Sequence, residues 1–235
     1  SSAGTYTVEL TATNDYGSDT KTKTDYITVT SSGNETGTFT DSRDGKTYEW
    51  VKIGDQVWMA ENLNYNQSSY GNDWCYDNNS SNCDTYGRLY DWAAVMQGAS
   101  SSNSNPSGVQ GVCPDGWHVP SDDEWEQLAV YISNDNGGYS QAGDVWNNVG
   151  GHLKATSGWG SGNNGTDDYG FSGLPGGYRF SGGLFYGIGL YGYWWSATEY
   201  NTSNAWYRGL NYITEYFYRG NYYEGYGFSV RCLRD

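Results

Sequence analysis

The stretch GVCPDGWHVPSDDEWEQL, residues 111–128, decides the fold. Pro120 is followed by Ser121-Asp122-Asp123-Glu124, a capping box in which a serine and a glutamate three residues apart satisfy the first free N–H groups of a helix. Trp125, Leu128, Ala129 and Ile132 then recur at i, i+3, i+4 and i+7, the spacing of one buried helix face. Upstream, Leu89, Trp92, Ala93 and Met96 repeat that spacing, with Gly98 as a C-terminal stop. Two core-facing helices are predicted, and neither carries catalytic residues.

Strand signals surround them. Lys46 to Ile53 and Gln56 to Met59 flank the turn Gly54-Asp55 and read as a hairpin. Residues 158–192 hold thirteen glycines and predict long loops with little helix. Tyr193–Ser196, Ala205–Leu210, Tyr216–Tyr218 and Gly227–Cys232 read as late strands. The order hairpin, helix, helix, loops, antiparallel strands predicts an α+β domain from residue 38 to 235. Residues 1–30 differ, with Thr5–Ala12 alternating at period two, a turn at Asn14-Asp15-Tyr16-Gly17, and a second strand from Lys23 to Thr30. Two strands make no stable domain alone. Residues 31–37 read as a polar linker.

Composition narrows the function. Trp (11) and Tyr (24) carry the burial that aliphatic residues usually supply, in a chain only 36% hydrophobic. A net charge of −15 with five lysines disfavours nucleic acid and anionic lipid, and no apolar run is long enough to insert in a membrane. Cys75, Cys83, Cys113 and Cys232 form no CxxC pair, and neither His118 nor His152 lies near a cysteine pair; disulfides in an oxidising compartment are expected over zinc. Residues 1–4 show no signal-peptide pattern, as expected of a mature chain or a cut fragment.

Six blocks in order, DGKTYEWVKIGDQVWMAENLNY (44–65), CYDNNSSNCDTYGRLYDWAAVM (75–96), GVCPDGWHVPSDDEWEQL, DDYGFSGLPGGYR (167–179), YWWSATEY (193–200) and GFSVRCLRD (227–235), resemble the Fibrobacter succinogenes major paralogous domain. That family is similar to the C-type-lectin-like fold shared with formylglycine-generating enzymes. The resemblance implies that fold, an extracellular or cell-surface-anchored setting, and the pairings Cys75–Cys83 and Cys113–Cys232. Residues 1–30 look like the last strands of a PKD-type, immunoglobulin-like module whose earlier strands precede this chain.

The functional signal lies in residues 180–226, which hold eleven of the tyrosines among Gly, Asn, Ser and Thr but no Lys, Gln or Met. That is paratope chemistry: tyrosine supplies large amphipathic contact with two torsions to freeze. The segment resembles the variable region of diversity-generating retroelement proteins, here residues 178–226. In such systems template adenines are randomised, so AAC codons become NNC, which cannot encode Lys, Gln, Glu, Met or Trp. The candidate ligand-binding residues are Phe180, Ser181, Leu184, Tyr186, Leu190, Tyr191, Tyr193, Tyr200, Tyr207, Tyr212, Ile213, Tyr216, Tyr218, Asn221, Tyr222, Tyr223 and Tyr226. Gly182, Gly209, Thr214 and Gly220 are also NNC-encodable. Tyr212, Tyr216, Tyr218 and Tyr222 share parity and would share a face of an extended chain. Trp194, Trp195 and Trp206 would be fixed scaffold, with Trp194 or Trp195, Trp206, Phe228 and Val230 pointing inward. Glu199, Glu215 and Glu224 would rim the patch.

The expected partner is a protein or a carbohydrate, and the chain is expected to be a monomer. No enzymatic activity is expected, because the four cysteines are used as bridges and no GxSxG accompanies His152. No cofactor is expected; a structural calcium would have to come from the oxygen-rich runs Asp73–Asp84 or Asn163–Asp168. A fixed carbohydrate-binding module that stacks sugars on aromatic rings is the alternative function.

Overall fold

In the computed structural model, residues 4–29, 33–67 and 69–235 are described; residues 1–3, Thr30, and Ser31 and Ser32 of the expected linker lie outside them. The chain divides into two units, Ser1–Gly33 and Asn34–Asp235. The first holds an antiparallel hairpin, β1 (Gly4–Asn14) and β2 (Gly17–Val29), whose register shifts between Tyr6 and Val8. The Asn14 side chain accepts from the Tyr16 amide at 2.9 Å to close the turn. Leu10, Tyr16 and Tyr26 are exposed.

The second unit is α+β. One sheet runs in the order β3 (Thr36–Thr40), β4 (Thr47–Ile53), β5 (Gln56–Met59), a strand at Leu233–Arg234, then one at Trp117–His118. The first strand thus begins inside residues 31–37, because Thr36-Gly37-Thr38-Phe39-Thr40 pairs residue for residue with Thr47–Val51. Asp73–Trp74 (β6) and Leu89–Tyr90 (β7) form a two-stranded ribbon; we number the Trp117–His118 strand β8. A seven-stranded sheet follows from β9 (Gln141–Ala142), β10 (Val145–Trp146), β11 (Gly176–Arg179), β12 (Phe185–Ile188), β13 (Tyr191–Asn201), β14 (Asn204–Asn211) and β15 (Phe217–Tyr223). Its order is β12-β11-β13-β14-β15-β10-β9, with only β11 and β13 parallel. Leu233–Arg234 is β16.

Helices α1 (Ser80–Tyr86), α2 (Trp92–Met96), α3 (Asp122–Asp135) and α4 (Val149–Leu153) pack beside the sheets. The capping box of α3 forms as read, with Ser121 Oγ accepting from the Glu124 amide at 3.1 Å and Glu124 Oε2 from the Ser121 amide at 2.9 Å. Trp125, Leu128, Ala129 and Ile132 are all buried. The other predicted helix is shorter. Asp91 caps it by accepting from the Ala94 amide at 2.9 Å, so Leu89 falls in β7 and Ala93 faces outward. The short helices α1 and α4 were missed, the latter because Gly150-Gly151 is a poor helix signal.

Two clusters fill the interior. One gathers Tyr90, Trp92, Trp195, Phe228 and Val230; the other gathers Trp58, Trp125, Phe171, Trp194 and Phe217. Trp194 and Trp195 are neighbours that strand alternation sends to opposite clusters. Gly227–Cys232 is not a regular strand, since Gly227, Phe228 and Ser229 bridge singly to Arg179, Tyr90 and Trp194 as the chain threads between elements. Along it Arg231 is fully buried and donates to Asn62 Oδ1 and to the carbonyls of Met59, Phe171 and Ser172. Burial lowers its pKa to about 9. Cys75–Cys83 and Cys113–Cys232 are bridged.

His118 is buried, with Nδ1 2.7 Å from Asp235 Oδ1 and Nε2 2.9 Å from Glu124 Oε1. Two carboxylate acceptors call for two ring donors, the imidazolium form. Burial opposes that charge, but the Glu124 and Asp235 carboxylates outweigh it and raise the pKa. A raised folded pKa adds stability that is complete below the unfolded value of about 6.5 and is lost as pH rises through the folded value. Urea denaturation across this range is therefore expected to show the wild type losing its advantage over His118→Gln as pH rises. A difference between the two that is constant with pH would contradict the charged-pair reading.

Candidate functional site

Strand alternation gives the β13–β14–β15 layer two unlike faces. One carries Tyr191 and Tyr193 of β13, Tyr207 and Gly209 of β14, and Tyr218, Gly220 and Tyr222 of β15. Across the ladders Tyr193 stands opposite Gly209, Gly209 opposite Tyr218, Tyr207 opposite Gly220, and Ala205 opposite Tyr222. Large and small residues thus alternate in the row Tyr193, Gly209, Tyr218, whereas the next row sets the buried Trp195 beside Tyr207 and Tyr207 beside Gly220.

The rings form one connected set. Centroids lie 5.6 Å apart for Tyr191 and Tyr193, 5.2 Å for Tyr193 and Tyr207, 6.0 Å for Tyr207 and Tyr222, and 4.4 Å for Tyr222 and Tyr226. Phe180 meets Tyr226 edge-on at 5.1 Å, and Tyr178 joins Tyr186 to Tyr193 at 5.8 and 5.6 Å. Phe228 seals the underside, 5.2 Å from Tyr193 and 5.1 Å from Tyr207. Tyr186 and Tyr222 are exposed; Tyr191, Tyr193, Tyr207 and Tyr226 are half-buried. Burial and the neighbouring phenols push the pKa values of Tyr193 and Tyr207 up, so these hydroxyls stay neutral.

The opposite face carries Trp194, Leu210 and Phe217 of the Trp125 cluster and, beside them, a set of ion pairs. Arg208 bonds Asp122 at 2.9 Å and Glu126 at 3.0 Å, and Arg219 bonds Asp122 at 2.7 Å and Asp144 at 2.8 Å. The Arg219 guanidinium lies 3.4 Å from the centroid of Trp206. Trp206 is thus half-buried under a cation and not in the core as expected, while Trp194, Trp195, Phe228 and Val230 are buried.

Several predicted residues stand apart from the connected rings. Tyr200 packs on Trp206 at 4.8 Å. Tyr212 packs against the Trp125 cluster, because the chain turns after it and the parity with Tyr216, Tyr218 and Tyr222 is broken. Tyr216 and Tyr218 pair at 5.8 Å, and the Tyr218 hydroxyl meets Asn211 and Thr214. Asn221 holds Asn204 at 3.0 Å on the far side of β15. Leu190 is half-buried, and Ser181, Leu184, Ile213 and Tyr223 are exposed. Lys154, buried and lowered in pKa by that burial, donates to the Asn163 and Thr214 carbonyls at 3.1 Å and holds the 211–216 turn. Tyr178, which touches five of the other rings, was passed over because it sits in the block GGYR and outside the residues named as candidates.

Glu224 and Glu199 are close enough that burial and the Glu199 charge raise the Glu224 pKa. Glu215 does not join that rim; it packs on Gly151 and lines a recess of about 240 Å³ with Tyr139, His152 and Thr166. There His152 bonds Asp168 through Nδ1 and the Tyr139 hydroxyl through Nε2 at 2.8 Å. A cavity of about 510 Å³ beside Tyr48, Glu61, Asp84 and Asp167 shares no lining residue with the aromatic face. The oxygens of the two acidic runs serve internal bonds: Asp73 to Arg88, Asn164 to the Trp159 amide, Asp167 to Ser172. Among the described residues no cluster of three His, Cys, Asp or Glu side chains suits a metal, and no helix is long and apolar enough to cross a membrane.

The family described as the Fibrobacter succinogenes major domain matches residues 51–234. No curated protein and no solved structure matches the chain.

Proposed function

Because the chain belongs to the Fibrobacter succinogenes major domain family, we propose that it is an extracellular ligand-binding protein whose Tyr-rich face takes a protein or glycan ligand. The observation that carries this reading is the connected layer of rings on one face of β13–β15, backed by an ion-paired face that holds the strands in place. Half-exposed tyrosines pre-arranged by one another lose little side-chain freedom on contact, which favours recognition. We place the unit in the C-type-lectin-like class and the N-terminal hairpin at the end of an immunoglobulin-like module at a cell surface. The two disulfides are consistent with that setting.

Diversification by a retroelement is part of the proposal. Its support is the division of residues by exposure. The exposed and half-buried tyrosines of the aromatic face are NNC-encodable, whereas Trp195, on that face but fully buried beside Tyr207, and Trp194 and Trp206, on the other, are not. Sequencing the DNA beside the gene is expected to find a reverse transcriptase and a near-copy template whose adenines align with the facing positions.

Binding is tested with the native chain on a printed glycan array and on intact cells. Tyr186→Ala with Tyr222→Ala is expected to lose tenfold or more of any retained binding, about 1.4 kcal/mol, while each change costs under about 1 kcal/mol of folding. Retention unchanged in a folded double variant would remove this face as the site. Array hits without a template in the neighbouring DNA would favour a fixed sugar-binding module.

A further inference from the structure

Gly209 and Gly220 stand where the two central rings lie down. A Cβ built on Gly209 would fall 2.8 Å from Tyr193 Cδ1 and 3.0 Å from its Cε1, with a Tyr207 ring atom next at 3.3 Å. A Cβ on Gly220 would fall 2.8–2.9 Å from Cε1, Oη and Cζ of Tyr207. These are cross-strand partners in the ladder, so the rings lean over the neighbouring strand and cover its bare backbone. All the atoms met are side-chain atoms that can swing away. At Gly165, by contrast, the obstacle is backbone: a Cβ would fall 2.2 Å from the Lys154 carbonyl oxygen. Neither Gly209 nor Gly220 has a positive φ, so a side chain there meets no backbone strain.

We propose that Gly209 and Gly220 are specificity-determining positions of the aromatic face, fixing the poses of Tyr193 and Tyr207 by their lack of a side chain. The inference rests on this face being the binding face. A residue added at 220 lifts the Tyr207 ring out of its bed over β15, and one added at 209 lifts Tyr193. Tyr207 also touches Tyr193, Tyr222 and Phe228, so one lifted ring changes the relief of its neighbours. Residues at 193 and 209, and at 207 and 220, therefore act as pairs. Exchanging one member reshapes a patch larger than its own side chain while the buried layers stay as they are.

The test uses the whole chain labelled with 3-fluorotyrosine, the Tyr207 and Tyr186 resonances being assigned from Tyr→Phe variants. Gly220→Val is expected to displace the Tyr207 fluorine resonance and leave Tyr186, on β12, in place. Its unfolding constant should change by about tenfold or less. That change should shrink when Tyr207→Ala is also present, because the ring being pushed is gone. Gly220→Ala gives the same reading with a smaller group should the valine variant fail to fold. A Tyr207 resonance that stays put in a folded variant, or a loss of folding that Tyr207→Ala leaves unrelieved in both variants, overturns the proposal. Rings that move as expected in a chain that retains no glycan or cell in the binding assays keep the coupling, while the binding-face reading fails.

Discussion

Asp122→Ala is expected to cost about 3–5 kcal/mol, because it removes one carboxylate from two guanidinium groups and leaves the buried Arg208 only a more exposed partner. Asp122 binds Arg208 through Oδ1 at 2.9 Å and Arg219 through Oδ2 at 2.7 Å, and only about 1% of the Arg208 side chain is exposed. Arg208 would keep Glu126, and Arg219 would keep Asp144, both partners being far more exposed than Asp122. The loss falls on the floor of the aromatic face, since both arginines project from the reverse side of β14 and β15. Chemical denaturation of wild type and variant measures it. A variant within about 1 kcal/mol of wild type would show that this network contributes no more than surface ion pairs do.

Opening the Cys113–Cys232 bridge is expected to be comparably damaging. It closes a sequence separation of 119 residues, for which the chain-entropy model gives about 4–5 kcal/mol. Cys75–Cys83 spans only 8, worth about 2–3 kcal/mol. Replacing each pair by alanines and comparing urea midpoints tests the order. An equal or smaller loss for the long bridge would show that native-state effects outweigh loop closure. Intact mass before and after reduction should show both bridges in the native protein.

Local signals made part of this legible. Ser121 and Glu124 marked the start of α3 because a capping box is an interaction between residues three apart. The alternation around Tyr193 and Tyr207 located the late strands. Signals failed where spacing or parity was carried across a local side-chain cap, and where the cause was non-local. Asp91 ended a helix pattern that hydrophobic spacing alone extended to Leu89. Parity joined Tyr212 to Tyr218 across a turn after Asn211 that the Asn211 side chain closes locally, by accepting from the Ile213 and Thr214 amides. Trp206 read as core by its type, but its cover is Arg219, thirteen residues on in the neighbouring strand and invisible without the register Trp206–Asn221. The connected rings were foreseeable as a face; that glycines opposite them set their poses was not, since cross-strand pairing is not written in either strand.

The threading of residues 227–234 bears on when the protein becomes a protein. Strand β16 lies between β5 and β8, so β8 has no partner in the sheet until Leu233 and Arg234 have paired. Phe228 and Arg231 likewise enter the interior from this late segment. Until this segment has paired, neither the sheet nor its interior can close. Such long-range pairing forms slowly. Closing this sheet therefore waits on regions far apart in sequence finding one another, and the Cys113–Cys232 bridge, which joins those same regions, holds the closed arrangement once it has formed.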